Sequence, residues 1–385
     1  MTRLAEIADA RLRGVPGYRP GLSGAGPASG KLSSNESPFG PAPAVRAAVA
    51  AAALKDTVGH YPDEQRARRV LADRAGVEES AILLTNGSDE FCYLLANVFL
   101  GPGRAAVLGD PPYQIDATAS LLAGADLRRV PLHRDGEDRG GHDLKAMAAA
   151  AAGAAVVWLP SPHNPTGAAV RPAGLARFLA AVPDDCLVVL DEAYRAFADA
   201  DRLPDVRGLL ARHPNLVVQR TLSKDWALAG LRAGYALAEP GLIAPLARAR
   251  PPFSVNALAL AAIEGGATPS AAAWRSMAVA RVTEQRAVLE RELERLSIDY
   301  LPSQANFVTA RLDPRAVGSA LAGSGLVVRP GDDLGMPGWV RISIGWAPQM
   351  AVLRAALRGL APGAAPAPAA APGADSSAGL LRERR

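Results

Sequence analysis

Cys186-Leu-Val-Val-Leu-Asp-Glu-Ala-Tyr194 decides the fold. Its apolar opening is too short for a buried helix and runs straight into two acids, an alanine and a tyrosine. A continuous apolar run of this kind reads as a strand buried on both faces, as in a parallel sheet covered by helices on each side. The stretch is one of a set. Ala81-Ile-Leu-Leu84, Ala105-Ala-Val-Leu108, Val156-Val-Trp-Leu159 and Asn215-Leu-Val-Val218 repeat it, each preceded by a helical stretch and followed by a polar turn. Such alternation indicates an α/β fold, a mostly parallel sheet sandwiched by helices.

Beyond Pro251-Pro-Phe253 the texture changes. A long helix is expected over about Ser270 to Leu296, then short strands at Asn306–Arg311, Leu326–Arg329 and Trp339–Ile344, and a helix from Gln349. These form a second, smaller α+β domain. The expected division is an N-terminal arm at 1–45, a large domain at 46–255, the small domain at 256–361, and a disordered Ala/Pro-rich tail at 362–385. A chain of 385 residues suits one large and one smaller domain.

Composition removes several function classes. With 42 basic against 38 acidic residues the net charge is only +4, which is no footprint for nucleic acid. Cys92 and Cys186 sit in apolar surroundings and form no disulfide framework, so a reducing compartment is expected. The start, Met1 to Glu6, carries early charges and no apolar signal region. Ala146 to Leu159 is the longest weakly polar run and is too short to span a bilayer. A soluble cytoplasmic protein without membrane or nucleic-acid partners is expected. Gly101-Pro-Gly-Arg-Ala-Ala106 fits a degenerate dinucleotide-binding pattern, but a helix precedes it and a strand follows, the reverse of such a turn. The histidines and cysteines show no metal-ligand spacing.

In open α/β sheets ligands bind beyond the carboxyl ends of the strands. Beyond Leu84 comes Thr85-Asn-Gly-Ser-Asp-Glu90 leading into a helix, whose free N–H groups and dipole favour a phosphate. Beyond Leu108 comes Gly109-Asp-Pro-Pro-Tyr113, with an aromatic plate. Beyond Leu159 comes Pro160-Ser-Pro-His-Asn-Pro-Thr-Gly167, presenting Asn164, and beyond Leu190 comes Asp191-Glu-Ala-Tyr194. Beyond Val218 comes Gln219-Arg-Thr-Leu-Ser-Lys224, followed by Gly230-Leu-Arg232. One cleft then holds a phosphate nest, a ring plate, an amide, a buried acid, a lysine and an arginine, the parts needed to hold pyridoxal phosphate. Only four of the 42 basic residues are lysine, at 31, 55, 145 and 224. Lys224 alone stands where a deprotonatable amine is required, since arginine cannot form a Schiff base.

With Ser161-Pro-His-Asn-Pro-Thr-Gly167, Asp191-Glu-Ala-Tyr194, Ser223-Lys224 and Gly230-Leu-Arg232 in order, the chain resembles the fold-type-I pyridoxal-phosphate aminotransferases, in the branch that includes histidinol-phosphate aminotransferase. The resemblance covers roughly residues 14–360. It implies transamination between an amino acid, such as glutamate, and an oxo substrate. Decarboxylation, elimination and oxidative deamination are the alternatives on the same scaffold. It further implies that Lys224 bonds the cofactor and acts as base, that Asp191 pairs with the pyridine nitrogen, and that Tyr113 stacks on the ring. Asn164 and Tyr194 contact the phenolic oxygen. The phosphate rests on the backbone of Ser88 and Asp89, on Ser223 and on Arg232. Tyr61, in His60-Tyr-Pro-Asp63, fits the family's tyrosine that reaches the neighbouring subunit's phosphate, implying a homodimer with shared sites.

On the substrate side Arg341 matches the arginine that clamps the substrate carboxylate, and Arg329 one that meets a distal phosphate. Tyr18 and Asn35 match further substrate positions. By residue chemistry alone Tyr18 also suits an arm anchor, Asn35 a turn cap and Arg341 an edge strand. His163, the pair Asp225 and Trp226, and His60 before Tyr61 depart from the family pattern. An acid beside Lys224 is expected to affect its protonation, and an indole to reshape the pocket. A regulator built on this scaffold is the rival from another class; it needs an added DNA-binding domain, for which the 31-residue arm is too short.

Overall fold

The computed structural model describes residues 2–12, 14, 15, 17 and 30–360; Tyr18 and the tail expected at 362–385 lie outside them. Among the described residues twelve strands run in chain order: β1 (Lys31–Leu32), β2 (Ile82–Thr85), β3 (Ala105–Asp110), β4 (Asp126–Pro131), β5 (Val156–Pro160), β6 (Leu187–Asp191), β7 (Leu216–Thr221), β8 (Gly234–Ala238), β9 (Tyr300–Leu301), β10 (Phe307–Arg311), β11 (Val327–Pro330) and β12 (Trp339–Ser343). The larger sheet has the order β2-β8-β7-β6-β5-β3-β4. Only β8 runs against its neighbours; the β3–β4, β3–β5, β5–β6 and β6–β7 pairs are parallel. This is the helix-covered, mostly parallel sandwich expected from the apolar runs, and the aspartate-aminotransferase-like fold that the resemblance implies.

Strand alternation divides the sheet's side chains between two cores. Val107, Val157, Leu159, Val188, Leu190, Val218 and Leu237 face one helix layer, and Ala106, Leu108, Val156, Trp158, Val189, Val217 and Ala236 the other. The runs read as continuously apolar because both sets are buried. Two strands of this sheet were not foreseen. β4 is a polar edge strand, mostly exposed, and β8 is a short antiparallel insertion just after the Gly230-Leu-Arg232 motif.

The smaller sheet has the order β1-β11-β12-β10-β9. Its edge strand β1 comes from the N-terminal arm and pairs in parallel with β11. A 27-residue helix, Pro269–Arg295, joins the two layers. Thr268 caps it by accepting the Ala271 N–H, and proline suits its first turn, where no intrahelical acceptor is needed. Its buried residues, Ala271, Arg275, Ala278, Val282, Arg286, Leu289 and Leu293, recur every three or four positions and form one stripe. Ala271 belongs to the large core, whereas Val282, Leu289 and Leu293 belong to the small one. The preceding helix, Ala257–Gly265, also packs into the large core through Ala259, Leu260 and Ile263, so that core's apolar contacts run past residue 255. Among the described residues no helix is long and apolar enough to cross a membrane.

Candidate active site

At the end of β2 the chain turns through Asn86 into the helix Gly87–Phe99. Gly87 has φ +80°, and a Cβ there would stand 2.6 Å from Arg232 Nη2. Gly234, on β8, lies against the same turn, where a Cβ would meet the Ser88 nitrogen at 2.7 Å. These two missing side chains leave a cradle between the helix's first N–H groups and the Arg232 guanidinium, a place for an anion. Arg232 donates to Asp89 Oδ2 at 3.2 Å and to the Ala229 carbonyl at 3.2 Å. Ser223 completes the cradle's rim, its hydroxyl accepting from Thr221 Oγ1 at 3.0 Å.

Asp191 ends β6, buried, with its Oδ1 accepting the Ala193 N–H at 2.9 Å. Burial pushes its carboxyl up to about 7; Asp89 and Glu192 add to the shift, while the Ala193 N–H and Lys224 oppose it. A buried acid so poorly compensated lacks a cationic partner. Lys224 follows β7; its Nζ donates to the Ser34 carbonyl at 3.3 Å and lies 5.7 Å from the Tyr194 ring centre. Tyr194 Oη accepts from Asn35 Nδ2 at 3.0 Å, and Tyr113 Oη donates to Asp89 Oδ1 at 3.1 Å.

The small sheet supplies the facing wall. Arg341 on β12 and Arg329 on β11 are register partners. Arg341 donates to Asn164 Oδ1 at 2.6 Å and to the Ser33 carbonyl at 2.8 Å, and Arg329 lies 3.6 Å from Asp333. Asn35, buried with φ 55°, ties the two sheets together: it accepts from Ser343 Oγ at 2.7 Å and from Asn306 Nδ2 at 3.0 Å while donating to Tyr194.

Every site residue expected from the sequence lines one cavity of about 550 Å³, apart from Tyr61 and Tyr18. Tyr61 is 82% exposed on the outer surface, stacked on Phe253 with ring centres 4.4 Å apart. Tyr18 lies outside the described residues. Reading the sequence missed Thr221, Ser33, Ser34, Asn306 and Ser343. The spacing Thr221-Leu-Ser-Lys224 was a usable signal for the first. Ser343 is 308 residues from the asparagine it holds, beyond any local pattern.

The expectations attached to Asp225 and Trp226 need correcting, and His163 does not line the cavity either. His163 points into the interior, its ring 4.7 Å from that of His142 and its Nδ1 paired with Thr166 Oγ1 at 2.9 Å. Burial lowers the pKa of both imidazoles, that of His142 to about 4. Asp225 turns toward Arg275, 3.7 Å away, and Trp226 is buried with the Arg275 and Arg74 guanidinium groups 4.7 and 5.4 Å from its ring. Neither lines the cavity. The backbone reverses after Lys224, with φ 61° at Ala227, and sends both side chains down into the helix layer. They therefore neither reshape the pocket nor face the lysine amine across it.

A helix-covered parallel sheet that presents an acid, a lysine and an anion cradle at its strand ends, closed by a second sheet bearing paired arginines, defines a fold-type-I enzyme of amino-group chemistry. The chain belongs to the class I and II aminotransferases, whose family model matches residues 30–359. It is 40% identical over 321 residues to histidinol-phosphate aminotransferase 2 of Pseudomonas aeruginosa, covering 82% of this chain and 84% of that one. It is 38% identical over 357 residues to the histidinol-phosphate aminotransferase of Geobacillus thermodenitrificans, covering 88% and 94%. Among solved structures it resembles the Sinorhizobium meliloti histidinol-phosphate aminotransferase in complex with pyridoxal-5'-phosphate, at a TM-score of 0.78 and 26% identity over 94% of this chain and 98% of that one. The chain is an aminotransferase acting on amino-acid and oxo substrates, and the decarboxylase, eliminase and deaminase alternatives are not favoured.

Proposed function

We propose that the chain uses pyridoxal 5'-phosphate to move an amino group between glutamate and an oxo substrate of the histidinol-phosphate type. The observation that carries this reading is the convergence of Lys224, Asp191, Arg341 and the Gly87–Arg232 cradle on one cavity. The donor set fits the cofactor: a cradle that a Cβ would fill, a buried acid without a cation, and the cavity's sole lysine. Bound there, the cofactor supplies a carbonyl that condenses with amines and a ring that withdraws electrons from the substrate's Cα.

The chain's residues do the rest. The Ser88 and Asp89 N–H groups, the Ser223 hydroxyl and Arg232 hold the phosphate. Asp191 keeps the ring nitrogen protonated, and the arrival of that cation lowers the acid's pKa. Tyr113 would stack on the ring, and Asn164 and Tyr194 would orient its phenolic oxygen. Lys224 Nζ would hold the cofactor through its carbonyl carbon and, when free, would move the proton to and from the substrate's Cα. Arg341 clamps the substrate carboxylate, Arg329 reaches the distal phosphate, and Asn35 and Tyr18 serve the substrate side.

Leu54, Val58, Tyr61 and Phe253 are exposed, with Tyr61 stacked on Phe253, and we assign this region to a homodimer interface in which Tyr61 of the partner subunit reaches the phosphate. Residues 46–255, joined by the Ala257–Gly265 helix, form the cofactor-binding body, and the smaller sheet forms the substrate-side domain. Two buried, unbridged cysteines favour the cytoplasm. The test is turnover with glutamate and the ketone that corresponds to histidinol phosphate. Arg341→Lys is expected to raise KM for glutamate roughly tenfold or more, because an ammonium cannot reproduce the fork. Turnover confined to unphosphorylated substrates contradicts the substrate assignment.

A further inference from the structure

Behind the cavity, three side chains that do not line it form a continuous polar chain. Cys92, on the helix Gly87–Phe99, lies with its Sγ 3.5 Å from Asp116 Oδ1 and 3.4 Å from Gln219 Oε1. Gln219 Nε2 stands 3.4 Å from the Ser88 carbonyl. All three are buried, at 0, 2 and 0% exposure for Cys92, Asp116 and Gln219. Each sits on an element that serves the cavity. Cys92 shares its helix with the Ser88–Asp89 turn, Asp116 follows Tyr113 by three residues, and Gln219 is the register partner of Asp191 on β7.

Counting protons settles the state of this chain. The Ser88 carbonyl can only accept, so the Gln219 amide points its N–H at Ser88 and its oxygen at Cys92. The thiol has one proton and faces two oxygens. With Asp116 ionised, one oxygen would be left against a sulfur lone pair in a dry interior. A proton on Asp116 gives each of the three contacts one donor and one acceptor, in one direction: Asp116 O–H to Sγ, Sγ–H to Gln219, Gln219 N–H to Ser88. Burial also raises the Asp116 carboxyl well above the carboxylate range, with Asp191 and Asp89 adding to it, and raises the Cys92 thiol.

We propose that Asp116 is a permanently protonated acid which, through Cys92 and Gln219, positions the Ser88 turn and leaves Asp191 as the carboxylate charge at the ring nitrogen. The second half rests on the cofactor reading above; the proton on Asp116 does not. Infrared spectra of the protein near neutral pH, with and without cofactor, are expected to show a protonated-carboxyl band that Asp116→Asn removes. Absence of such a band overturns the proposal, whatever the cavity holds.

Asp116→Asn keeps the N–H donor to sulfur, so cofactor affinity is expected to stay within about twofold of wild type, and the pH midpoint of the cofactor's visible absorbance to stay in place. A midpoint shift of about one unit, as for loss of a real charge, overturns the proposal. Cys92→Ala breaks the chain and is expected to weaken cofactor retention about tenfold, with Cys92→Ser restoring it. Retention unchanged in Cys92→Ala overturns the positioning role.

Discussion

Lys224 and Asp191 show how a functional residue can work against the fold that carries it. Asp191 is buried with its carboxyl held up to about 7. Its unfolded pKa is near the ordinary 3.8, so between those values the folded cofactor-free chain binds the extra proton. Stability of that form therefore falls as pH rises from about 4 to about 7, and above 7 the full penalty is present. Asp191→Asn is accordingly expected to stabilise the cofactor-free protein above neutrality, by on the order of 2–4 kcal/mol at most. The same substitution should cripple turnover. Denaturant melts of both cofactor-free proteins across pH check this; identical curves would show that Asp191 already has a compensating partner. The scarcity of lysine has a matching sense: beside Arg129, Arg232, Arg329 and Arg341, Lys224 is the basic side chain of the cavity able to lose its proton.

Turns beyond strand ends carry the site, and they were also what the sequence made legible. β3, β5, β6 and β7 are buried on both faces, so their apolar runs are unbroken and the polar residues that follow mark their ends. β4 escaped notice because an edge strand with exposed Asp126, Arg128 and Arg129 has no such run. β1 escaped because two residues gain meaning only by pairing with β11, far along the chain. Within the site, the turn residues were readable as local motifs, whereas the directions of His163, Asp225 and Trp226 were not. Direction depends on how each turn packs against helices distant in sequence, such as Pro269–Arg295, which supplies Arg275. At this scale Gly87→Ala is the informative substitution. It strains a φ of +80° and fills the cradle against Arg232, so cofactor affinity is expected to fall about 10-fold to 100-fold. Titration of the cofactor-free variant with pyridoxal phosphate measures it, and undiminished affinity would place the phosphate elsewhere.

Two sheets, one long helix and an exposed aromatic pair organise the whole molecule. The Pro269–Arg295 stripe binds both cores, and Arg286 fastens it by donating to the Phe197 and Ala305 carbonyls at 3.0 Å each. In the proposed homodimer the outward Tyr61–Phe253 stack completes the partner's site, which predicts complementation between subunits. Lys224→Ala and Tyr61→Ala proteins, each impaired alone, should regain activity toward about a quarter of wild type when mixed and allowed to exchange, because half the dimers then hold one intact site. No recovery after proven exchange would show that the sites are not shared. The central claim, transamination at Lys224, is tested most directly by adding glutamate alone to the purified cofactor-loaded protein and following absorbance and products together. The account predicts that the cofactor passes from its aldehyde to its amine form with matching release of 2-oxoglutarate. Release of carbon dioxide or ammonia while the aldehyde form persists would contradict it.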